Sequence, residues 1–184
     1  MKQGRILLIS ILAGFGIVLA DLYITRPPTP SSEIKPLYDR FYVSGQVQLS
    51  DFRSTQFRHF QTVIDLRPDG EAANQPSSSQ VAAECRSREL RFFYVPVPHG
   101  KIPDSAVHAL KSAIENSQGE TLLYCRSGKR AVRTFCLAQA SLPGGGSLVD
   151  ILKIATDAGQ SAEDLTPDIK ERIAHRLQRP ENKK

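Results

Sequence analysis

Cysteine is scarce in this 184-residue chain, which contains only Cys85, Cys125 and Cys136. The three residues lie far apart, without the close Cys or His pairs of structural zinc sites, so we expect no metal and no cofactor. Their odd number leaves at least one thiol outside any disulfide. For the other two, a Cys85–Cys136 disulfide and a Cys136 that only faces the core of its helix are both open alternatives.

Long runs of one charge are also absent. The formal net charge is +5, but the basic residues are spread along the chain instead of forming a basic tract. Nucleic acid is therefore not indicated as a partner. Hydrophobic residues make up 40% of the chain, which is enough for a core, and no internal repeat is visible.

A long hydrophobic run occurs once, at Ile6–Ala20, which carries no charge. This run is short for a bilayer span of about 20 residues unless it extends to Ile24. We interpret residues 1–24 as a signal anchor, with a signal peptide cleaved after Ala20 as the alternative. The preceding basic residues predict a membrane-anchored protein whose globular part is outside the cytoplasm, in the periplasm if the source is bacterial. Cleavage near Ala20 would instead give a secreted protein.

The remaining chain is divided by composition and pattern. Residues 25–36 are rich in Pro and Ser and predict a linker, residues 37–160 form the main domain, and residues 161–184 form a C-terminal helix and tail. In the domain, β-favouring runs at 40–46, 62–66, 91–97 and 121–124 alternate with helical patterns at 51–60, 79–90, 104–118, 130–140 and 147–158. This alternation predicts an α/β fold with a mostly parallel central sheet flanked by helices on both faces.

The segment Thr121–Arg133, TLLYCRSGKRAVR, carries the strongest chemical signal. An apolar run ends at Cys125, and a loop containing Gly128 leads into a helical pattern. In such an arrangement the N–H groups of the loop and of the first helical turn converge and bind an anion. A thiol at this position is expected to ionise more readily than a free thiol. Arg130 could bind two anion oxygens with its planar fork.

A purely structural explanation of this segment is a buried strand end followed by solvated cations. Against that explanation, no acidic residue lies between Thr121 and Arg133, and four cations crowd around one cysteine. These cations are Arg126, Lys129, Arg130 and Arg133. We therefore favour a functional anion site.

A family resemblance is visible in five segments that follow one another along the chain. They are FYVSGQ, TVIDLRPDGE, QPSSSQ, RFFYVPV and LLYCRSGKR. Over about residues 37–160 the chain resembles the phosphatase-like domain of beta-lactamase-hydrolase-like proteins, which is similar to dual-specificity Cys phosphatases. The resemblance implies a Cys-phosphatase-like fold in which Cys125 is the nucleophile and Arg130 clamps the phosphate. It also implies a phosphate cradle made by Arg126, Ser127, Gly128 and Lys129.

Three features depart from the phosphatase pattern. Four residues separate Cys125 from Arg130, whereas dual-specificity phosphatases have five, and the shorter loop is similar to that of rhodanese sulfurtransferases. Tyr124 stands where those phosphatases commonly have a histidine. The position of their usual acid reads Pro98-His99.

The proton donor for a leaving group is therefore open among His99, Asp65 and Asp104. Simpler explanations exist for each: an exposed loop histidine, a carboxylate that orients Arg67 or Arg130, and a helix cap, respectively. Arg67 is either a second anion contact or a surface charge.

We predict a hydrolase that cleaves a phosphomonoester through a phosphocysteine intermediate on Cys125. The alternative is a sulfurtransferase that carries a persulfide on Cys125 and takes a sulfane-sulfur substrate. Sulfur transfer has a better leaving group and depends less on an acid. A membrane-tethered module that binds an anion without turnover is the third hypothesis.

Overall fold

The computed structural model describes residues 31–178. The predicted signal anchor at 1–24 and the first half of the predicted linker lie outside this range, as do residues 179–184. Among the described residues, no helix is both long and apolar enough to cross a bilayer. The anchor and the location of the globular part therefore stay predictions.

Five strands form one sheet in the order β1-β2-β5-β3-β4. Strands β2, β5, β3 and β4 run parallel, and β1 pairs antiparallel with β2. The strands are β1 Ile34–Tyr38, β2 Phe41–Ser44, β3 Phe60–Asp65, β4 Arg91–Tyr94 and β5 Glu120–Tyr124.

Helices cover both faces of this sheet, which confirms the predicted α/β class. The helices are α1 Ser78–Ser87, α2 Asp104–Asn116, α3 Lys129–Ser141, α4 Leu148–Asp157 and α5 Thr166–Gln178. One core lies between the sheet and α1, and the larger core lies between the sheet and α2 to α5.

Strand β5 is the centre of the sheet and is buried from Thr121 to Tyr124. A parallel strand covered on both faces has apolar side chains on both, which explains its unbroken hydrophobic run. Leu122 and Tyr124 pack into the α1 core, whereas Leu123 and Cys125 pack into the larger core. The strand thus brings Cys125 to the C-terminal edge of the sheet, where α/β proteins bind ligands.

The predicted linker is wrong in its last three residues, because β1 begins at Ile34. The strand contains Pro36, which an edge strand tolerates because one side of its backbone needs no partner. Its register with β2 shifts between Pro36 and Tyr38. Composition indicated a linker here because a short edge strand with proline lacks a clear alternating pattern.

The predicted helix at 51–60 is also wrong. Two 3-10 helices, Leu49–Arg53 and Thr55–His59, occupy this segment, and Ser54 between them has an extended backbone. Asp51, in the first of them, is buried and accepts the N–H of Gln48 at 2.8 Å.

The alternative of a Cys85–Cys136 disulfide is wrong, since all three cysteines are free. Cys85 lies in the α1 core and Cys136 in the larger core, so the sheet separates them. Burial raises the pKa of each of these two thiols to about 12. Both are therefore unreactive packing residues at neutral pH.

The described chain starts at the same edge of the sheet as Cys125. The Ser31 N–H donates to Asp51 Oδ1 at 2.9 Å, and Ser32 Oγ donates to the carbonyl of Gln46 at 3.1 Å. The Gln46 N–H in turn donates to the carbonyl of Arg126 at 3.2 Å. Two hydrogen bonds, both through Gln46, thus connect Ser32 to the loop that follows Cys125.

Candidate active site

The predicted strand, cysteine loop and helix are present. Strand β5 ends at Tyr124, and α3 begins at Lys129. Gly128 caps α3 with a left-handed φ of 84°, a conformation that glycine adopts without steric cost. The Cys125 side chain lies inside the loop with 1% of its surface exposed, whereas Arg126 and Ser127 are exposed.

Arg130 is held in a fixed orientation above this loop. Its Nη1 and Nη2 donate to Glu71 Oε1 and Oε2 at 2.7 Å each. Its Nη1 also donates to the carbonyl of Val97 at 2.6 Å. Burial would lower the pKa of Arg130, but the bond to Glu71 and the nearby Cys125 sulfur raise it overall. The guanidinium is therefore a permanent cation beside the thiol.

Glu71 contacts two arginines and a histidine of the site. Besides Arg130, its Oε2 accepts from Arg67 Nε at 3.0 Å, and its Oε1 lies 3.6 Å from His99 Nε2. The bonds from Arg130 and Arg67 outweigh the opposing effect of burial and lower the pKa of Glu71 to about 2. This carboxylate is ionised at neutral pH and cannot donate a proton.

Arg67 is buried at 4% exposure, so the surface-charge alternative is wrong. Its Nη1 donates to Gln46 Oε1 and its Nε to Glu71. It lies just beyond the end of β3 and shares Glu71 with Arg130, which places it next to the predicted anion position. A direct anion contact of Arg67 stays a prediction.

Asp65 serves the turn after β3 and not a guanidinium. Its Oδ1 accepts the main-chain N–H of Arg67 at 2.8 Å, and among residues 31–178 no hydrogen bond joins it to an arginine side chain. It pairs in register with Tyr124, whose side chain lies in the α1 core, whereas Cys125 packs into the larger core. Burial raises the pKa of Asp65 to about 6.

His99 and Asp104, the other two candidate proton donors, lie in different surroundings. The His99 side chain is 68% exposed and lies at the outer side of Glu71. Asp104 does not cap α2, because the cap position is Pro103 and Asp104 lies in the first turn. The Asp104 carboxylate pairs with Arg172 of α5. Of the three candidate proton donors, His99 is thus the one that lies next to Glu71, the partner of Arg130.

The remaining cations of the loop differ in their surroundings. Arg133 binds both oxygens of Asp164 at 2.6 Å each and the carbonyl of Ser161 at 3.0 Å. It therefore binds the segment that precedes α5. Arg126 and Lys129 are exposed at the mouth of the loop, as expected for residues that a large anionic substrate could meet.

Sequence reasoning missed three partners of the site: Glu71, Gln46 and the carbonyl of Val97. Glu71 lies in the segment TVIDLRPDGE, whose resemblance to the family was the available signal. Its pairing with Arg130 spans 59 residues of sequence, beyond any local pattern. Among residues 31–178, no group of three or more His, Cys, Asp or Glu side chains is arranged to hold a metal ion.

Residues 33–142 match the family described as beta-lactamase hydrolase-like protein, phosphatase-like domain. The chain belongs to this family. A curated relative is the beta-lactamase hydrolase-like protein of Xylella fastidiosa (strain Temecula1 / ATCC 700964), 33% identical over 107 residues. The match covers 58% of this chain and 25% of the relative, so the chain spans about a quarter of the length of that protein. The family resemblance of the five segments is confirmed.

Solved structures support the same fold. A Neisseria meningitidis Z2491 protein, described as a candidate phosphatase, is 24% identical with a TM-score of 0.63, over 76% of this chain and 97% of that one. The core catalytic domain of the PP-IP phosphatase SIW14 of S. cerevisiae is 18% identical with a TM-score of 0.53, over 77% and 86%. At these identities the likeness concerns the fold, which is that of Cys phosphatases.

Proposed function

We propose that the domain hydrolyses phosphomonoesters with Cys125 as the nucleophile. The Cys125 sulfur attacks phosphorus, the bond from phosphorus to the leaving oxygen breaks, and that oxygen takes up a proton. Water then attacks the phosphocysteine, the P–S bond breaks, and inorganic phosphate leaves with the thiolate restored. The substrate class is a phosphate-bearing molecule, and its identity beyond the phosphate is open.

The observation that carries this proposal is the position of Cys125 between a helix N-terminus and the Arg130 guanidinium. The N–H groups at the start of α3 stabilise negative charge on a bound anion. Arg130 is fixed by Glu71 and Val97 and is a permanent cation at the same place. Preorganised donors of this kind favour the charge that develops on the equatorial oxygens of a transferring phosphoryl group.

The candidate proton donors differ in charge and in position. Glu71 is ionised, Asp65 packs on the other side of the sheet from Cys125, and Asp104 is paired with Arg172. His99 is the remaining candidate and is mostly exposed. We therefore expect efficient hydrolysis of aryl phosphates, whose leaving groups need little protonation, and slow hydrolysis of alkyl phosphates.

The same observation keeps a rhodanese-type sulfurtransferase as a second candidate. In that reaction the Cys125 thiolate takes the outer sulfur of a sulfane-sulfur donor such as thiosulfate and releases sulfite. The persulfide sulfur then passes to a thiol or cyanide acceptor. This reaction needs no proton donor, and the loop between Cys125 and Arg130, with its four residues, favours it locally.

One experiment on the full chain separates these functions. The protein is incubated with an aryl phosphate and, separately, with thiosulfate, while phosphate release and intact mass are followed. Phosphate release that is lost in Cys125→Ser, without a persulfide, supports the phosphatase. A gain of one sulfur on Cys125 with no phosphate release supports the sulfurtransferase. Anion binding without either reaction leaves the tethered binding module.

A further inference from the structure

The three hydrogen bonds of Arg130 leave one edge of its guanidinium open. An arginine carries five N–H groups, and Arg130 uses both on Nη1 and one on Nη2 for Glu71 and Val97. Neither the Nε–H nor the second Nη2–H has an oxygen acceptor among residues 31–178, and the guanidinium also contacts the Cys125 sulfur. These two groups lie side by side on one edge of the plane, in the geometry that binds two oxygens of one anion.

We propose that Glu71 is a positioning residue, which fixes Arg130 so that its Nε/Nη2 edge receives the oxyanion of the substrate. The Glu71 carboxylate accepts from Nη1 and Nη2 at the end of the guanidinium, and the Val97 carbonyl accepts the second hydrogen of Nη1. With these contacts in place, the guanidinium cannot rotate about its long axis without breaking them. The proposal rests on anion binding by Arg130 under the proposed function and holds for either reaction.

Glu71 is itself held in place, which makes it suited to this task. Its Oε2 also accepts from Arg67 Nε, and the Arg67 fork reaches Gln46 at the end of β2. Glu71, Arg67 and Arg130 side chains are 14%, 5% and 13% exposed. Water therefore competes weakly for these bonds, and the chain of contacts fixes Arg130 relative to the strand ends that flank the Cys125 loop.

A contrary interpretation is that Glu71 is an internal competitor, which occupies Arg130 until a substrate displaces it. The two interpretations predict opposite effects of Glu71→Gln on anion affinity. Positioning predicts weaker binding, because the amide has only one accepting oxygen, so the paired bonds from Arg130 are lost and the guanidinium loses its orientation. Competition predicts tighter binding, because a neutral side chain releases the guanidinium.

The test measures binding of inorganic phosphate and tungstate to the full chain in a Cys125→Ser background, by calorimetry. Four versions are compared: the background itself, Glu71→Gln, Arg130→Lys and both together. We expect each single change to weaken binding on the order of tenfold to a hundredfold, as for a misplaced positioning group. In the double variant we expect little loss beyond Arg130→Lys alone, because Glu71 acts through Arg130.

Asp164→Asn is the matched control, since Asp164 binds Arg133 of the same helix with two bonds of 2.6 Å. It should leave binding unchanged. Glu71→Asp, which keeps the charge but shortens the side chain, should give an intermediate loss and replaces Glu71→Gln if that variant does not fold. In the enzyme with Cys125, Glu71→Gln should lower kcat as well as raise KM, whereas loss of stability alone would change neither in the folded fraction.

The outcomes separate the inference from the function on which it rests. The positioning role is overturned if Glu71→Gln binds the anion more tightly. It is also overturned if Glu71→Gln weakens anion binding equally with Arg130 and with Lys at position 130. If Arg130→Lys itself leaves anion binding unchanged, the clamp of the proposed function fails first, and the positioning role fails with it. Weaker binding in Glu71→Gln that disappears in the Arg130→Lys background supports the inference.

Discussion

Asp65 and Tyr124 are register partners on β3 and β5, and burial raises the pKa of both side chains. Asp65 is 1% exposed and Tyr124 is 1% exposed. The Tyr124 hydroxyl has no hydrogen-bond partner among residues 31–178. Burial makes the Asp65 carboxylate costly to ionise, so this side chain makes the stability of the fold depend on pH.

We predict that Asp65→Asn stabilises the protein at pH 7.5 but not at pH 4. The folded-state pKa of Asp65 is about 6, above its ordinary 3.8, so its favourable contribution is full below 3.8 and is lost as the pH rises through about 6. The expected gain at pH 7.5 is about 2 to 3 kcal/mol. The asparagine oxygen still accepts the Arg67 N–H. Chemical denaturation at both pH values checks this, and Asp157→Asn on the surface is the control. An equal gain at both pH values would contradict the expectation.

Gly128→Ala tests the left-handed residue of the loop, and Gly144→Ala is its matched control. The two glycines have φ of 84° and 70°. An added Cβ at Gly128 would be 3.5 Å from the Ser44 carbonyl oxygen, which is an ordinary contact, and at Gly144 it would meet nothing within 4 Å. Both variants should therefore lose about 1 to 2 kcal/mol through backbone strain. Loss of anion binding is expected in Gly128→Ala alone, and calorimetry with tungstate checks it. If both variants lost anion binding equally, the left-handed conformation of Gly128 would have no special role in anion binding.

Alkylation should select Cys125 and prefer a negatively charged reagent. We expect the ratio of iodoacetate to iodoacetamide rates at Cys125 to exceed that of a free thiol, because the loop and Arg130 attract an anion. Inorganic phosphate should protect Cys125, and Arg130→Lys should reduce the preference. Peptide mass spectrometry identifies the site. Cys85 and Cys136 are internal controls, because burial raises the pKa of each to about 12. Labelling of all three at similar rates would contradict a specific anion site.

Arg133 should be dispensable for the proposed reaction although it is close to Cys125 in sequence. It is committed to Asp164, whose side chain is 65% exposed. We expect Arg133→Gln to leave kcat/KM within about twofold and to cost under about 1 kcal/mol of stability, as for exposed ion pairs. Steady-state kinetics with an aryl phosphate checks this beside Arg130→Lys. A large loss in Arg133→Gln would mean that Arg133 leaves Asp164 to contact the substrate.

Much of the fold could be predicted because the central elements have simple patterns. Strand β5 is an apolar run, and α1 begins with a capping box, in which Ser77 and Gln80 bond each other's backbone N–H groups. Elements with mixed signals were missed. Strand β1 contains Pro36, and its position in the sheet depends on pairing with β2. In the segment predicted as one helix, Ser54 separates two 3-10 helices.

In the site, local sequence predicted the nucleophile and its helix but not the charges that balance the cations. No acid lies between Thr121 and Arg133, which suggested an unneutralised cluster. The fold supplies those acids from a distance: Glu71 reaches Arg130 across 59 residues, and Asp164 reaches Arg133 across 31. Such pairs depend on the order of strands and helices in space, which no window of sequence contains.

The bonds from Ser31 to Asp51 and from Ser32 to Gln46 have a practical consequence for any larger assembly. Since Gln46 also bonds the loop after Cys125, the described domain begins beside the candidate site. A fusion partner, a surface or a scaffold attached ahead of Ser31 would therefore join the domain near the loop that follows Cys125. An attachment made after Gln178 would instead join the domain at the end of α5.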